Sequence, residues 1–321
     1  MSVVPLARPQ KSGAPFAPPF AVPPSAPALM SADGQTLSHA DLHTRVAGLA
    51  AELPDAADGR RLVHLPLTAT VDGVLAYLAT LAAGHVALVT GDDPRSQAIL
   101  ETYRPDVTAS IHAGASFDVT SRHARHLLHP DLALLLSTSG STGSPKLVRL
   151  SHDNVRSNAV AIGQALRLTP ADRAITSLPL TYCFGLSVIH SHLTAGASVV
   201  LHDGSVLDPQ WWRVVDVQRV TTLAVVPHMV ELMESTGVLG REHPSLRLIA
   251  QAGGRLAPER VRRLAATGAE FGWDLAVMYG QTEATARIAV LDPADVADHP
   301  DAVGRPVPGT TLRLDPTVPE A

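Results

Sequence analysis

The residues best suited to do chemistry stand together at Thr138, Ser139, Gly140, Ser141, Thr142, Gly143, Ser144, Pro145 and Lys146. Glycine lets the backbone take positive φ and lets a ligand approach it closely. Successive free N–H groups in such a loop form a concave anion site. Ser139, Ser141 and Thr142 add hydroxyl donors, and Lys146 adds a mobile positive charge. This is chemistry for a polyphosphate. A flexible Ser/Gly linker has a similar composition, but a linker does not sit between two apolar strand-like runs, here 132–136 and 147–150. The Gly-x-x-x-x-Gly-Lys-Ser/Thr phosphate loop does not fit either, because Pro145 precedes Lys146 and Leu147 follows it.

Three further groups stand at the ends of predicted strands, where ligands sit in open α/β sheets. Met278, Tyr279, Gly280, Gln281, Thr282 and Glu283 combine a flat aromatic face, a hydroxyl and a hard carboxylate suited to Mg²⁺. Gln251, Ala252, Gly253, Gly254 and Arg255 offer paired glycines for close backbone approach. In the run from Leu178 to Leu186, Tyr182 has a hydroxyl that could orient a carboxylate, or it is a packed aromatic. His228, after Pro227, reads as a helix-cap histidine before it reads as a catalyst. Trp211 and Trp212 lie in a helical pattern and read as packing residues.

The loop 138–146 resembles the phosphate loop of the adenylate-forming enzymes: acyl- and aryl-CoA synthetases, peptide-synthetase adenylation domains and luciferases. That family reads Ser/Thr-Ser-Gly-Ser/Thr-Thr-Gly-x-Pro-Lys, matched throughout here. It also carries Tyr-Gly-x-Thr-Glu, matched by 279–283, and a Gly-x-Pro-x-Pro-Gly turn, matched by 304–309. The resemblance covers nearly everything from Leu29 to about Leu314. It implies an AMP-forming ligase that activates a carboxylic acid with ATP and Mg²⁺ to an acyl- or aryl-adenylate. Transfer to a thiol, of coenzyme A or a carrier-protein phosphopantetheine arm, would follow.

By the same resemblance, Thr138, Ser139, Gly140, Ser141, Thr142, Gly143 and Lys146 hold the phosphates. Gly253, Gly254, Arg255, Tyr279, Gly280, Gln281 and Thr282 complete the ATP site, with Tyr279 by the adenine and Thr282 at the α-phosphate. Glu283, with Thr142, is the implied metal ligand set, and Lys146, Thr282 and Glu283 are the implied catalytic group. Tyr182, Phe184, Gly185, His228, Ala252 and Gly253 line the implied acyl pocket. Amino-acid-activating relatives read Phe-Asp-x-Ser where this chain has Phe184, Gly185, Leu186 and Ser187, and their Asp pairs with the substrate ammonium. Gly185 stands in its place, so the expected acid is not an α-amino acid. Relatives continue with a Tyr-x-Thr-Gly-Asp segment, a hinge and a small domain with a catalytic Lys. The expectation is therefore the large N-terminal domain only, with the C-terminal domain absent. The alternative function is a nucleotide-binding fragment without turnover, serving as a regulatory or assembly partner.

The elements that must position these residues alternate. Predicted strands lie at 62–67, 86–89, 132–136, 174–178, 198–202, 222–226, 246–250 and 275–278, and helical patterns lie between them. Ser38 and Ser151 read as helix N-caps, and Pro94 as a first helical residue. Strand–helix alternation argues for an α/β chain with two packed, mostly parallel sheet subdomains covered by helices. Residues 1–27 form a Pro/Ala-rich lead expected to be disordered, residues 28–321 the folded domain, and the subdomain divide falls near 166–172.

Composition excludes several classes. Of 321 residues, 45% are hydrophobic and 17% charged, enough for a large core. A net charge of -5 provides no basic field for nucleic acid. The single cysteine, Cys183, permits no intrachain disulfide, which fits a cytoplasmic setting. No apolar run reaches a membrane span, and no signal-peptide pattern opens the chain. The fifteen histidines and one cysteine show no zinc-like spacing.

Overall fold

The computed structural model of the chain describes residues 15–18, 21–111, 114–138 and 146–313. The first elements are β1 (Pro27–Ser31), β2 (Thr36–Ser38), α1 (His39–Ala50), β3 (Leu62–Pro66), α2 (Val71–Ala82), β4 (Val86–Thr90) and α3 (Pro94–Tyr103). Next come β5 (Val107–Ser110), β6 (Ser116–Val119), β7 (Leu132–Ser137), β8 (Leu147–Ser151), α4 (His152–Ala165), β9 (Arg173–Ile175) and α5 (Cys183–Thr194). Then follow β10 (Ser198–Leu201), α6 (Pro209–Val217), β11 (Thr222–Val225), α7 (Pro227–Thr236), β12 (Leu248–Gln251) and α8 (Pro258–Phe271). The last are β13 (Asp274–Tyr279), β14 (Ala289–Leu291) and β15 (Arg305–Pro306).

The strands form two sheets, of order β6-β5-β3-β4-β7-β8 and β15-β14-β13-β12-β11-β9-β10-β1-β2. Each has a parallel centre. Antiparallel pairs close the edges: β5 with β6, β7 with β8, β1 with β2, and β13 through β14 to β15. The chain is therefore α/β, with two mostly parallel sheets covered by helices, as the alternation predicts. Between β8 and β9 it passes from the six-stranded to the nine-stranded sheet, yet β1 and β2 already belong to the latter.

Alternate residues of the nine-stranded sheet face two different cores. Ala224, Leu248, Ala250 and Ala276 join the core shared with α2 and α5, while Leu223, Val225, Ile249 and Leu275 join the one under α6, α7 and α8. Trp211 and Trp212 belong to the second core, edge to face at 5.0 Å. Helix starts follow the predicted chemistry. Ser38 caps α1, Ser151 forms a capping box with Asn154 on α4, and Asp93 caps α3 ahead of Pro94.

Two strands differ from the predicted ranges by two or more residues at an end. β9 ends at Ile175: the Thr176 N–H still donates to the Val200 carbonyl at 2.9 Å, and beyond it side-chain bonds take over, from the Thr176 hydroxyl to the His202 carbonyl at 2.6 Å and from Ser177 to the Ala224 carbonyl. β12 begins at Leu248 because the Leu246 N–H closes a turn on the His243 carbonyl at 2.9 Å. Within the Pro-rich lead, Phe16 stacks on His190 with centroids 4.2 Å apart. Among the described residues, no helix is long and apolar enough to cross a membrane, and Cys183 is buried as a free thiol.

Candidate functional site

Three neighbouring parallel strands end on the same edge of the large sheet. β11, β12 and β13 run in register, Val225 beside Gln251 and Gln251 beside Val277. Their exits are the segments 226–228, 252–255 and 279–283. The first two exits meet at the paired glycines. Gly253 has φ of 83°, and a Cβ there would stand 2.8 Å from the Tyr182 hydroxyl oxygen and 3.0 Å from Val226. A Cβ on Gly254 would stand 3.0 Å from the Pro227 ring. The turn is held from below by fully buried Gln251, whose amide donates to the carbonyls of Ala252 at 3.2 Å and Gly254 at 2.9 Å. Gly253, Gly254 and Arg255 are exposed, so this turn offers backbone to a ligand.

The third exit is tighter. A Cβ on Gly280 would lie 1.7 Å from the Ala286 carbonyl oxygen, so the backbone doubles back over this residue. Thr285 and Ala286 complete the reversal at φ of 62° and 95°, values rare for non-glycine residues. Asn158 of α4 clamps it: its side chain donates to the Arg287 carbonyl at 2.8 Å and accepts from the Arg287 N–H at 3.3 Å. The result displays Tyr279, Gln281 and Glu283 to solvent and turns Thr282 inward. The Thr282 hydroxyl donates to the Cys183 thiol at 3.2 Å. Burial pushes that thiol up, against the lowering effect of Thr282 and Arg287.

The base of the loop 138–146 comes from the other sheet. β7 and β8 are antiparallel, with Ser137 beside Leu147, so Thr138 and Lys146 flank one hairpin end. β8 packs against the 282–284 turn, which ties this hairpin to the third exit. Lys146 is exposed and Thr138 half-buried. Ser139, Gly140, Ser141, Thr142 and Gly143 lie outside the described residues.

α5 forms the floor. All twelve of its residues are buried. A Cβ on Gly185 would sit 2.3 Å from the Pro179 carbonyl oxygen and 2.9 Å from that of Leu178, so the first turn of α5 admits only glycine. Phe184 lies edge-on to Tyr182 and carries the Arg287 guanidinium on its face, 4.3 Å from the ring centroid. Burial pushes the Tyr182 phenol up. Burial also brings Arg287 down to about 10, so the guanidinium remains charged at neutral pH.

The structure thus brings together Tyr182, Phe184, Gly185, Ala252, Gly253, Gly254, Arg255, Tyr279, Gly280, Gln281, Thr282 and Glu283, with Thr138 and Lys146 at their edge. His228 lies on the first of the three exits. It is exposed on the first turn of α7 and faces Glu231 at 3.7 Å, while Glu231 pairs with Arg260 at 2.7 Å. Asn158 and Arg287 belong to the site, and the sequence reading missed them; it takes Gln251 only as the start of the glycine turn, not as its support. Only Arg287 left a signal, as the single charge in the apolar run 284–291.

Over residues 93–318 the chain matches the family described as AMP-binding enzyme. Phenyloxazoline synthase MbtB of Mycolicibacterium paratuberculosis is 31% identical over 320 residues, covering 91% of this chain and 27% of its own length. Indoleacetate–CoA ligase of Aromatoleum aromaticum is 33% identical over 183 residues, covering 56% of this chain and 35% of that ligase. The solved structure of o-succinylbenzoate coenzyme A synthetase (MenE) from Bacillus subtilis, in complex with ATP and magnesium ion, superposes with a TM-score of 0.71 at 26% identity. That match covers 88% of this chain and 63% of MenE. The chain spans about a quarter of MbtB and under two thirds of MenE. With the family matched over most of the chain, this chain belongs to the AMP-binding enzymes.

Proposed function

We propose that this chain is the nucleotide- and acid-binding core of an AMP-forming acid–thiol ligase. A substrate carboxylate attacks the α-phosphate of ATP, the bond to the β-phosphate oxygen breaks, and pyrophosphate leaves with the acyl-adenylate formed. The observation that carries this reading is the convergence of the 252–255 turn, the 279–283 turn and the hairpin end at Thr138 and Lys146. Together they offer exposed backbone, an aromatic face, a cation and a carboxylate around one space. Catalysis of this kind rests on positioning and on stabilising spread negative charge.

The residues fit Mg²⁺. Glu283 is an exposed carboxylate in none of the ion pairs among the described residues. Mg²⁺ on a nucleotide is commonly held by one or two carboxylates, phosphate oxygens and water. Glu283, with Thr142, would hold it, and the ion would supply charge to the phosphates. Lys146 would bind the outer phosphates. Tyr279 would lie along the adenine, and the Gly253 backbone would pass close to the adenylate. Thr282 would turn its hydroxyl from the Cys183 sulfur to the α-phosphate. The acceptor thiol, of coenzyme A or a carrier protein, comes in a second step.

The acid is not an α-amino acid. The place of an ammonium-binding Asp is Gly185, where no side chain fits, and the charge on this floor is the guanidinium of Arg287. The test is calorimetry with ATP and Mg²⁺ on this chain and on Lys146→Ala. Binding weakened about tenfold or more by the substitution is expected; equal binding would remove Lys146 from the phosphate site. Pyrophosphate release is measured alongside, without and with a relative's C-terminal domain supplied in trans, since a lid donates charge and excludes water. Nucleotide binding with no pyrophosphate release under either condition would favour a regulatory role instead.

A further inference from the structure

Arg287 is only 3% exposed. It takes part in none of the ion pairs among the described residues. Its guanidinium makes two long contacts, to the Ala286 carbonyl and the Ser187 hydroxyl, each at 3.4 Å. Its Nε has no partner. A guanidinium presents five donors in a fixed fork that matches a carboxylate, and buried charges are ordinarily paired. The Asn158 clamp fixes the Arg287 backbone beside α5.

Arg287 lines a small cavity of about 20 Å³ between α5 and the large sheet. Its other walls are chiefly apolar, among them Ile162, Phe184, Val188, Leu248 and Met278. His192 also lines it, but both ring nitrogens are engaged, with the Val188 carbonyl at 2.9 Å and the Thr222 hydroxyl at 2.8 Å, and burial takes its pKa down to about 4. Arg287 is therefore the one charge on this wall among the described residues. Behind the cavity, β9 and β11 share a single paired position, Thr222 with Ala174, so the sheet is least tightly knit there.

We propose that the acid taken by this chain carries a second carboxylate, which enters this cavity and forms a bidentate pair with Arg287. The proposal rests on the acid-activating reading above. Arg287 lies beneath Phe184, whereas the proposed nucleotide groups Tyr279, Glu283 and Lys146 are exposed. A carboxylate seated on Arg287 is thus not the one that meets the α-phosphate, and full pairing with a guanidinium would also blunt a nucleophile. The volume holds a water or two, room for one carboxylate group with the rest of the acid outside it.

The test is acid binding by calorimetry on the full chain, in the presence of AMP and without divalent cations, so that chelation does not count. Malonate, succinate and glutarate are compared with monomethyl succinate and butyrate. The best dicarboxylate should bind about tenfold or more tightly than its monoanionic isostere. Arg287→Gln and Arg287→Leu should erase that preference, with Arg287→Lys keeping part of it. Removing an unpaired buried charge should leave Tm unchanged or raised, whereas a purely structural arginine would lower it. Equal binding of the two acid classes, no binding of any dicarboxylate, or a preference that survives in Arg287→Gln would overturn the proposal. Should Arg287→Gln not fold, the acid panel on the parent chain and on Arg287→Lys decides. Binding of ATP with Mg²⁺ is measured separately: its presence with no dicarboxylate preference rejects the second carboxylate alone, and its absence rejects the adenylation reading as well.

Discussion

Gly280 and Gly48 show how differently one residue type works in two settings. A Cβ on Gly280 would collide with backbone at 1.7 Å, while a Cβ on Gly48, on the exposed side of α1, meets nothing within 4 Å. Gly280→Ala should therefore destabilise by about 3 kcal/mol, the range for forced backbone shifts, and should loosen the turn that displays Glu283. Gly48→Ala should stabilise by about 0.5–1 kcal/mol through helix propensity. Urea midpoints of the two variants check both signs, and a neutral Gly280→Ala would mean that the turn is not held as described. Residues of this kind are legible in a sequence because the chemistry is local: glycines, hydroxyls and carboxylates cluster within a few positions. Asn158 and Arg287 are not legible in that way. They meet across 129 positions of chain, and nothing in either local sequence announces the other.

Elements were readable to the degree that they are half-exposed. α1, α4 and α8 each bury one stripe and expose another, and their periodicity places them. α5 is buried on every side, its serines and histidines included, so no apolar stripe marks it. The pairing of β1 with β10 is likewise set by a contact between distant segments. Long-range ties also hold β9, a strand of three residues with one paired position on β11. Asp172, just ahead of it, is 3% exposed and accepts from the Thr169 N–H at 2.8 Å, the Thr221 hydroxyl at 2.9 Å and Arg247 Nε at 2.6 Å. Burial alone would raise this carboxyl, but these donors hold it below the usual range. Asp172→Ala leaves those donors unpaired and should cost about 2 kcal/mol, discounted because Arg247 is partly exposed. Chemical denaturation measures it. A loss below about 0.5 kcal/mol, the level of an ordinary surface substitution, would mean that β9 is secured by packing alone.

At the scale of the whole molecule, α5 places two histidines where protons are unwelcome. His190 Nε2 shares a hydrogen bond with the buried Tyr77 hydroxyl at 2.9 Å and is stacked under Phe16; His192 lies between the Val188 carbonyl and Thr222. Burial lowers His190 to about 3 and His192 to about 4. In the unfolded chain both titrate near 6.5. Between those values the unfolded state binds more protons than the folded one, so stability rises with pH across the window and is lost as pH falls. Their contribution is fully present above about pH 6.5. At pH 5 each neutral buried histidine costs about 2 kcal/mol and the pair about 4 kcal/mol. That is a large share of a typical folding free energy of roughly 5–15 kcal/mol. Burial also lowers His39, His64, His85 and His152, which act in the same direction. Urea unfolding from pH 8 to pH 5 should show stability falling by at least about 4 kcal/mol, without any change at the sheet edge that carries the site. His190→Gln and His192→Gln should each be less stable at pH 8, and each should shrink the acid-induced loss by about 2 kcal/mol. If the loss between pH 8 and pH 5 is the same in the double variant as in the parent, these two histidines are not what makes the core sensitive to acid.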